Sequence, residues 1–171
     1  MTHILSKPGI AFAACSLALA GCGGGGGPKA AVPEGPKAIF TSSYDCVQSK
    51  LFSEDDCRNA IEKAIKSHRA YAPKYKTRRQ CEAKEIQCER GLEHQYRPRL
   101  VAFLVQPKGG SKPGFGARAL YPPTDEELGL RDLSNTVYLG KDINLTFSNQ
   151  AQRAVIKVVS VERRYSQSDV F

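Results

Sequence analysis

Four of the six cysteines constrain what this chain can fold into more than any other feature of the sequence. Their even number is typical of a disulfide framework, provided that the protein reaches an oxidising compartment. No two of them have the CxxC spacing of zinc ligands or of a thioredoxin-like redox site, so we expect no metal site and no cofactor. The predicted disulfide cysteines are Cys46, Cys57, Cys81 and Cys88.

The N-terminus predicts export to such a compartment. An apolar run over 10–20 follows a weakly basic start and ends in Leu19-Ala-Gly-Cys22, which matches the lipobox at which bacterial signal peptidase cuts prolipoproteins before a lipid-carrying cysteine. The run covers about half of a ~30 Å hydrocarbon layer, so a spanning helix is disfavoured. We therefore expect 1–21 to be a signal peptide and acyl chains on Cys22 to hold the protein on the membrane. The alternative is an ordinary secretory signal followed by an unmodified Cys22.

The residue after Cys22 is Gly23 rather than Asp, which is typical of lipoproteins that Gram-negative bacteria send on to the outer membrane. Residues 22–38 are rich in Gly and Pro and predict a flexible tether. The formal net charge is +8 for the whole chain and +7 once Lys7 leaves with the leader. In the periplasm this charge favours an anionic envelope polymer or lipid head groups over nucleic acid, although a solvated basic surface is an equally open reading.

Residues 39–91 predict a helical region. Ser53 is a candidate N-cap, and a stripe of small and apolar residues with a period of 3.6 predicts a helix over Glu54–Tyr71. Pro73 ends this helix, because the residue before a proline is pushed out of the helical region. Thr77 is a candidate N-cap for a second helix, with Gly91 at the end of that helix or of the loop after it.

The second helix leaves the disulfide pairing open. In one unbroken helix Cys81 and Cys88 would stand about 10 Å apart along the axis, too far to bond each other. Either the helix breaks, giving the local pairs Cys46 with Cys57 and Cys81 with Cys88, or it persists and the bonds cross between helices. We favour the local pairs.

Residues 92–171 predict a β-rich region with a polar tail. The apolar run Leu100–Val105 predicts a buried strand, and Ala117–Tyr121 a short one. Thr136–Leu139 and Ile143–Phe147 flank Gly140-Lys-Asp and predict a hairpin. The β-branched residues of Ala154–Val161 predict a last strand. The expected fold is thus α+β, a small disulfide-stapled helical hairpin followed by a small antiparallel sheet.

The stretch from Phe40 to Cys88 resembles the YgiB-type family of bacterial lipoproteins, a domain of unknown function. The residues that carry the resemblance are Phe40-Thr-Ser-Ser-Tyr-Asp-Cys46, Cys57, Ala72-Pro-Lys-Tyr75, Thr77-Arg78 and the pair Cys81 and Cys88. The resemblance implies a fold signature but no activity, because the family has no established catalytic residues.

No catalytic residue is predicted. His68 continues the apolar stripe of the first helix, and His94 stands apart from any triad or ligand pattern. Four glutamates at helical spacing among basic residues predict a solvated, ion-paired face. They are Glu82, Glu85, Glu89 and Glu93.

One cluster of cations and aromatics at the helix break is the candidate anion-binding surface. The leading hypothesis is a non-enzymatic outer-membrane lipoprotein that presents its folded part to a periplasmic protein or an envelope polymer. The alternatives are an anion binder that uses this cluster, and an enzyme or enzyme accessory that uses His94 with a neighbouring glutamate. The cluster contains Tyr71, Lys74, Tyr75, Lys76, Arg78 and Arg79.

Overall fold

The computed structural model describes residues 35–109, 114–124 and 129–156. The predictions for 1–34, which include the leader, Cys22 and most of the tether, lie outside these residues. The predicted α+β class is confirmed. In chain order the elements are β1 (Ala38–Phe40), α1 (Ser43–Ser49), α2 (Glu54–Tyr71), α3 (Arg78–Glu82), β2 (Cys88–Arg90), a 3-10 turn (Leu92–His94), β3 (Tyr96–Pro98), β4 (Ala102–Pro107), β5 (Phe115–Leu120), β6 (Leu130–Arg131), β7 (Val137–Tyr138), β8 (Thr146–Phe147) and a last helix, α4, described over 149–156.

Helix α2 has the bounds that the sequence predicts. The side chain of Ser53 accepts a hydrogen bond from the backbone N–H of Asp56, which caps the first turn, and the helix ends at Tyr71, before Pro73. Its buried face contains Ala60, Ile61 and His68. Among the described residues, no helix combines the length and apolarity needed to cross a membrane.

The main sheet has four strands in the order β5-β4-β1-β8. Strands β1 and β5 both pair antiparallel with β4, whereas β8 pairs parallel with β1. β1, the first strand of the described residues, therefore lies between strands that come from the second half of the chain. This position joins the two halves of the sequence in one sheet.

Both faces of this sheet are covered. Phe40 and Phe103 face the layer formed by α1 and α2, while Ile39 and Leu104 face the opposite side. The opposite side is closed by residues of β6, β8 and α4, such as Ala151, which is fully buried. A strand covered on both faces has apolar residues in a continuous run, which explains the pattern of β4.

Both disulfides are local, which confirms the favoured pairing. Cys46 bonds Cys57, and Cys81 bonds Cys88. Helix α3 ends at Glu82, so the helix breaks between the second pair of cysteines and their Cα atoms stand 6.2 Å apart. The first disulfide lies in the core beneath α1 and α2.

The predicted hairpin over 136–147 is wrong. Val137–Tyr138 pairs antiparallel with Leu130–Arg131, and Thr146–Phe147 pairs with β1 instead. Phe147 is buried next to β1, whereas Ile143 is 99% exposed. Burial in the core selected the partner strands, because two short alternating segments have little intrinsic preference for each other over a buried strand.

The predicted strand at Ala154–Val161 is also wrong where the structure describes it, because 154–156 belong to α4. The side chain of Ser148 caps this helix by accepting a 3.0 Å hydrogen bond from the N–H of Ala151. Burial of Ala151 against the sheet then outweighs the local β preference of the residues that follow. Residues 157–161 lie outside the described part.

Candidate functional site

A buried histidine joins α2 to the second half of the chain. His68 is 2% exposed. Its Nδ1 lies 3.0 Å from the hydroxyl of Tyr121, and its Nε2 lies 3.0 Å from Oε1 of Glu89. The three side chains thus form a continuous line from β2 through α2 to the residue that follows β5.

The chemistry of the three side chains indicates which group donates in each of the two hydrogen bonds. An ionised carboxylate only accepts hydrogen bonds, so Nε2–H of His68 donates to Glu89. Burial raises the pKa of Tyr121 to about 12, although the nearby Arg131 opposes the increase. The Tyr121 hydroxyl is therefore protonated at neutral pH and can donate to Nδ1 of a neutral His68.

Glu89 collects three hydrogen bonds at the edge of this line. Besides His68, it accepts from Nε of Arg97 at 2.8 Å and from the backbone N–H of Leu100 at 3.3 Å. Burial alone would raise the pKa of Glu89, but the hydrogen bonds from His68, Arg97 and Leu100 outweigh burial and hold it below its usual value. Glu89 is ionised at neutral pH.

A second buried pair lies beside Tyr121. Arg131 and Glu85 form an ion pair in which both side chains are at most 9% exposed. The hydroxyl of Tyr75 donates to the same carboxylate at 3.1 Å, and the guanidinium of Arg131 lies 5.8 Å from the ring centre of Tyr121. Nε of Arg131 is buried without a hydrogen-bond partner among the described residues.

Asp132, next in the chain, orders the β6–β7 turn. It accepts from the backbone N–H groups of Ser134 and Thr136 and from the side chains of Arg118 and Tyr138. Burial works to raise the pKa of Asp132, and these hydrogen bonds lower it by more. Asp132 is therefore ionised at neutral pH and stabilises the β6–β7 turn by accepting these hydrogen bonds.

The glutamates at helical spacing do not form the predicted solvated face. Glu85 is 8% exposed and Glu89 is half-buried, because α3 ends at Glu82 and the chain turns inward to the second disulfide and β2. Of the four, Glu82 fits the prediction, as an exposed ion pair with Arg78 at 2.7 Å, and Glu93 is exposed as predicted.

A hollow of about 230 Å³ lies beside His68, between α2 and β5. The exposed residues Ser67 and Ser134 line it together with Arg118. Both ring nitrogens of His68 are bonded, and the hydroxyl that meets Nδ1 belongs to Tyr121, which is fully buried. Within this hollow the histidine serves as a cross-link between elements.

The six residues of the predicted anion-binding cluster do not act alike. The hydroxyl of Tyr75 is bound to Glu85, and its backbone pairs with Tyr96 in an isolated bridge. Arg78 pairs with Glu82. The remaining members are exposed, namely Tyr71, Lys74, Lys76 and Arg79.

Lys74 lines a small cleft together with residues that the sequence did not single out. The cleft has a volume of about 90 Å³ and lies where the end of α2 meets the β2–β3 turn. Arg69 and Arg97 supply two more cations, and Glu93 supplies one carboxylate. His94 follows Glu93 and contacts Arg90 through Nδ1. Across the described ranges, no group of three or more His, Cys, Asp or Glu side chains is placed to hold a metal ion.

Comparison with known families assigns the chain. The family described as "Protein of unknown function (DUF1190)" matches residues 34–159, which is most of the sequence. The chain belongs to the DUF1190 family. No curated protein and no solved structure matches it. The DUF1190 match contains both disulfides, the line through His68 and the basic cleft, so all of these features lie in the family's own domain.

Proposed function

We propose that this DUF1190 chain is a lipid-anchored protein of the bacterial outer membrane, and that its folded part is a non-enzymatic interaction module for a periplasmic protein or an anionic envelope polymer. The observation that supports this most directly is the pair of local disulfides. Such bonds persist in oxidising compartments, to which the lipobox at Leu19–Cys22 would send the chain.

Two further features support the proposal. The motifs between Phe40 and Cys88 resemble those of YgiB-type lipoproteins, which fits a lipid anchor on Cys22. The non-enzymatic role is supported by the burial of His68, which is 2% exposed, and of the Tyr121 hydroxyl that meets its ring.

The anchor is tested by replacing Cys22. In cells that produce the full chain, Cys22→Ser should move the protein from the membrane to the soluble periplasmic fraction, because the acyl chains are lost. Cys15→Ser is the matched control: Cys15 lies in the predicted leader, so this variant should stay with the membrane. A Cys22→Ser protein that remains membrane-bound would contradict the anchor.

The choice of membrane is tested separately. Gly23→Asp should shift the protein from outer-membrane to inner-membrane fractions on a density gradient, while Cys22 stays acylated by mass spectrometry. If both versions sediment with the inner membrane, the outer-membrane assignment is wrong.

The enzymatic alternative makes an opposite prediction. If the purified full chain turned over envelope glycan or a peptide amine, and His94→Asn abolished that turnover, the module would be an enzyme. We expect no turnover of either substrate. Crosslinking in intact cells should instead recover a partner with the Cys22-anchored protein and lose it with Cys22→Ser.

A further inference from the structure

Two of the cations that line the cleft at the end of α2 have no side-chain partner among the described residues. Arg58 and Lys66, on the same helix, each pair with a glutamate one turn away. Arg69 and Lys74 line the cleft and have no ion pair or hydrogen bond to a side chain in the ranges that the structure describes. Two unpaired cations on one small concave surface attract an anion, since their mutual repulsion is relieved when it binds.

Arg97, the third cation of the cleft, is held in place by a carboxylate. Nε of Arg97 donates to Glu89, which is itself fixed by His68 and by the N–H of Leu100. The Arg97 side chain is only 16% exposed, yet its two terminal nitrogens have no hydrogen-bond partner among the described residues. A guanidinium fixed through Nε can offer the terminal pair of N–H donors to an oxyanion at little entropic cost.

Glu93, which lines the cleft, belongs to a strained turn. Glu93 and His94 are consecutive non-glycine residues with φ of 59° and 57°. Left-handed backbone is strained for residues that carry a Cβ, and such strain is concentrated at functional sites. The N–H of Gly91 donates to the carbonyl of Gln95 at 2.7 Å and closes this turn beside Arg97.

We propose that this cleft binds a single phosphate group through Arg69, Lys74 and Arg97. Its volume of about 90 Å³ has room for one compact oxyanion. Tyr96 lines the same cleft and presents an aromatic surface to whatever carries the phosphate. The phosphate would belong either to a lipid head group or to a soluble phosphorylated compound. This choice of sources rests on the envelope interaction module proposed above.

The test is calorimetric titration of inorganic phosphate into the purified full chain at low ionic strength. Arg69→Gln and Lys74→Gln should each weaken phosphate binding about tenfold, the loss expected for one charge-assisted hydrogen bond. Lys63→Gln is the matched control, because it removes the same charge from an exposed position of α2 outside the cleft. It should change the Kd less than twofold. Equal Kd values for Arg69→Gln and Lys63→Gln, or no saturable binding by the unaltered chain, would overturn the site.

Glu93→Gln gives a change of the opposite sign. It removes the one carboxylate that lines the cleft, so phosphate binding should tighten severalfold. Loss of affinity in this variant would contradict the proposed position of the anion. Arg97 is left unaltered, because its bond to Glu89 also supports the fold.

Vesicles distinguish the two sources of phosphate. A lipid head group is the source if the full chain binds phosphatidylglycerol vesicles more tightly than phosphatidylcholine vesicles. Arg69→Gln and Lys74→Gln should then reduce this binding, whereas Lys63→Gln should not. Equal binding of all variants to vesicles, with the Arg69→Gln defect retained for inorganic phosphate, would assign a soluble source. Every protein in the vesicle measurements also carries Cys22→Ser, so that no acyl chain inserts into the vesicles. Failure of the phosphate site and failure of the anchor are then separate outcomes.

Discussion

His68 and Glu89 stand 21 residues apart in the chain and meet through a 3.0 Å hydrogen bond from Nε2 to Oε1. This contact fixes α2 to β2, and through Arg97 it also fixes one wall of the basic cleft. A single buried imidazole therefore connects the helical layer to the surface that we propose binds phosphate.

The first prediction concerns the stability that His68 provides. His68→Ala should lower the free energy of unfolding by about 2–4 kcal/mol, because it leaves a cavity and removes the partner of the buried Tyr121 hydroxyl. Urea denaturation at neutral pH measures this. His94→Asn alters an exposed histidine and keeps a residue that tolerates left-handed backbone, so it should change stability by less than about 0.5 kcal/mol. Similar losses in the two variants would contradict the role of His68.

Acid should weaken the same connection. The pKa of Glu89 lies below its ordinary value of 4.5, since its hydrogen bonds outweigh the effect of burial. Its contribution to stability is therefore complete above about pH 4.5 and is lost as the pH falls through the lower, folded-state pKa. Urea unfolding between neutral and strongly acidic pH should show a decline that is shallower in Glu89→Gln. An unchanged acid slope in that variant would exclude Glu89 as a source of the decline.

Alkali should act through Tyr121. Burial raises the pKa of Tyr121 from 10.0 to about 12. A raised folded-state pKa gives a contribution that is complete below pH 10 and is lost between pH 10 and 12. In an ultraviolet titration of the seven tyrosines, Tyr121→Phe should remove a late ionisation step, whereas Tyr71→Phe, at an exposed position, should keep it. Persistence of the late step in Tyr121→Phe would show that another tyrosine is responsible.

Removing the second disulfide should be costly for so small a loop. Cys81→Ala combined with Cys88→Ala opens a bridge between residues seven apart, which stabilises by about 2–3 kcal/mol in the chain-entropy model. The pair Cys46→Ala with Cys57→Ala should cost at least as much, because that bridge spans eleven residues and both sulfurs are buried. Urea unfolding of the two double variants measures the two losses separately. Urea unfolding of the native chain with and without a reductant measures their combined effect. Equal stability of the native chain under the two conditions would contradict this prediction.

Local signals in the sequence predicted helix α2 and the Thr77 cap of α3. Helix α2 begins after the Ser53 cap and ends before Pro73, as local sterics and capping require. The strand β4 was recognised from a continuous apolar run, with its bounds shifted by two residues at each end. The partners of the short strands were not predictable in this way, since Phe147 pairs with β1 for reasons of burial rather than of turn chemistry.

The candidate site was predicted only in part. Lys74 belonged to the predicted basic cluster and lines the cleft. Arg69 and Arg97 were missed, because they stand 28 residues apart with no shared motif and meet only through the end of α2 and the β2–β3 turn. The inward position of Glu85 was missed because it depends on where α3 breaks.

The sequence by itself determined the elements whose causes lie within a few residues: the cap at Ser53, the stop at Pro73, the apolar run of β4 and the preference for local disulfides. The tertiary structure decided everything that needs distant partners, namely the central position of β1, the helix at 149–156, and the line from Tyr121 through His68 to Glu89 and Arg97. The physical reason is that caps and steric stops act over one turn of chain. A buried polar group, by contrast, takes whichever partner the completed core brings within hydrogen-bond distance.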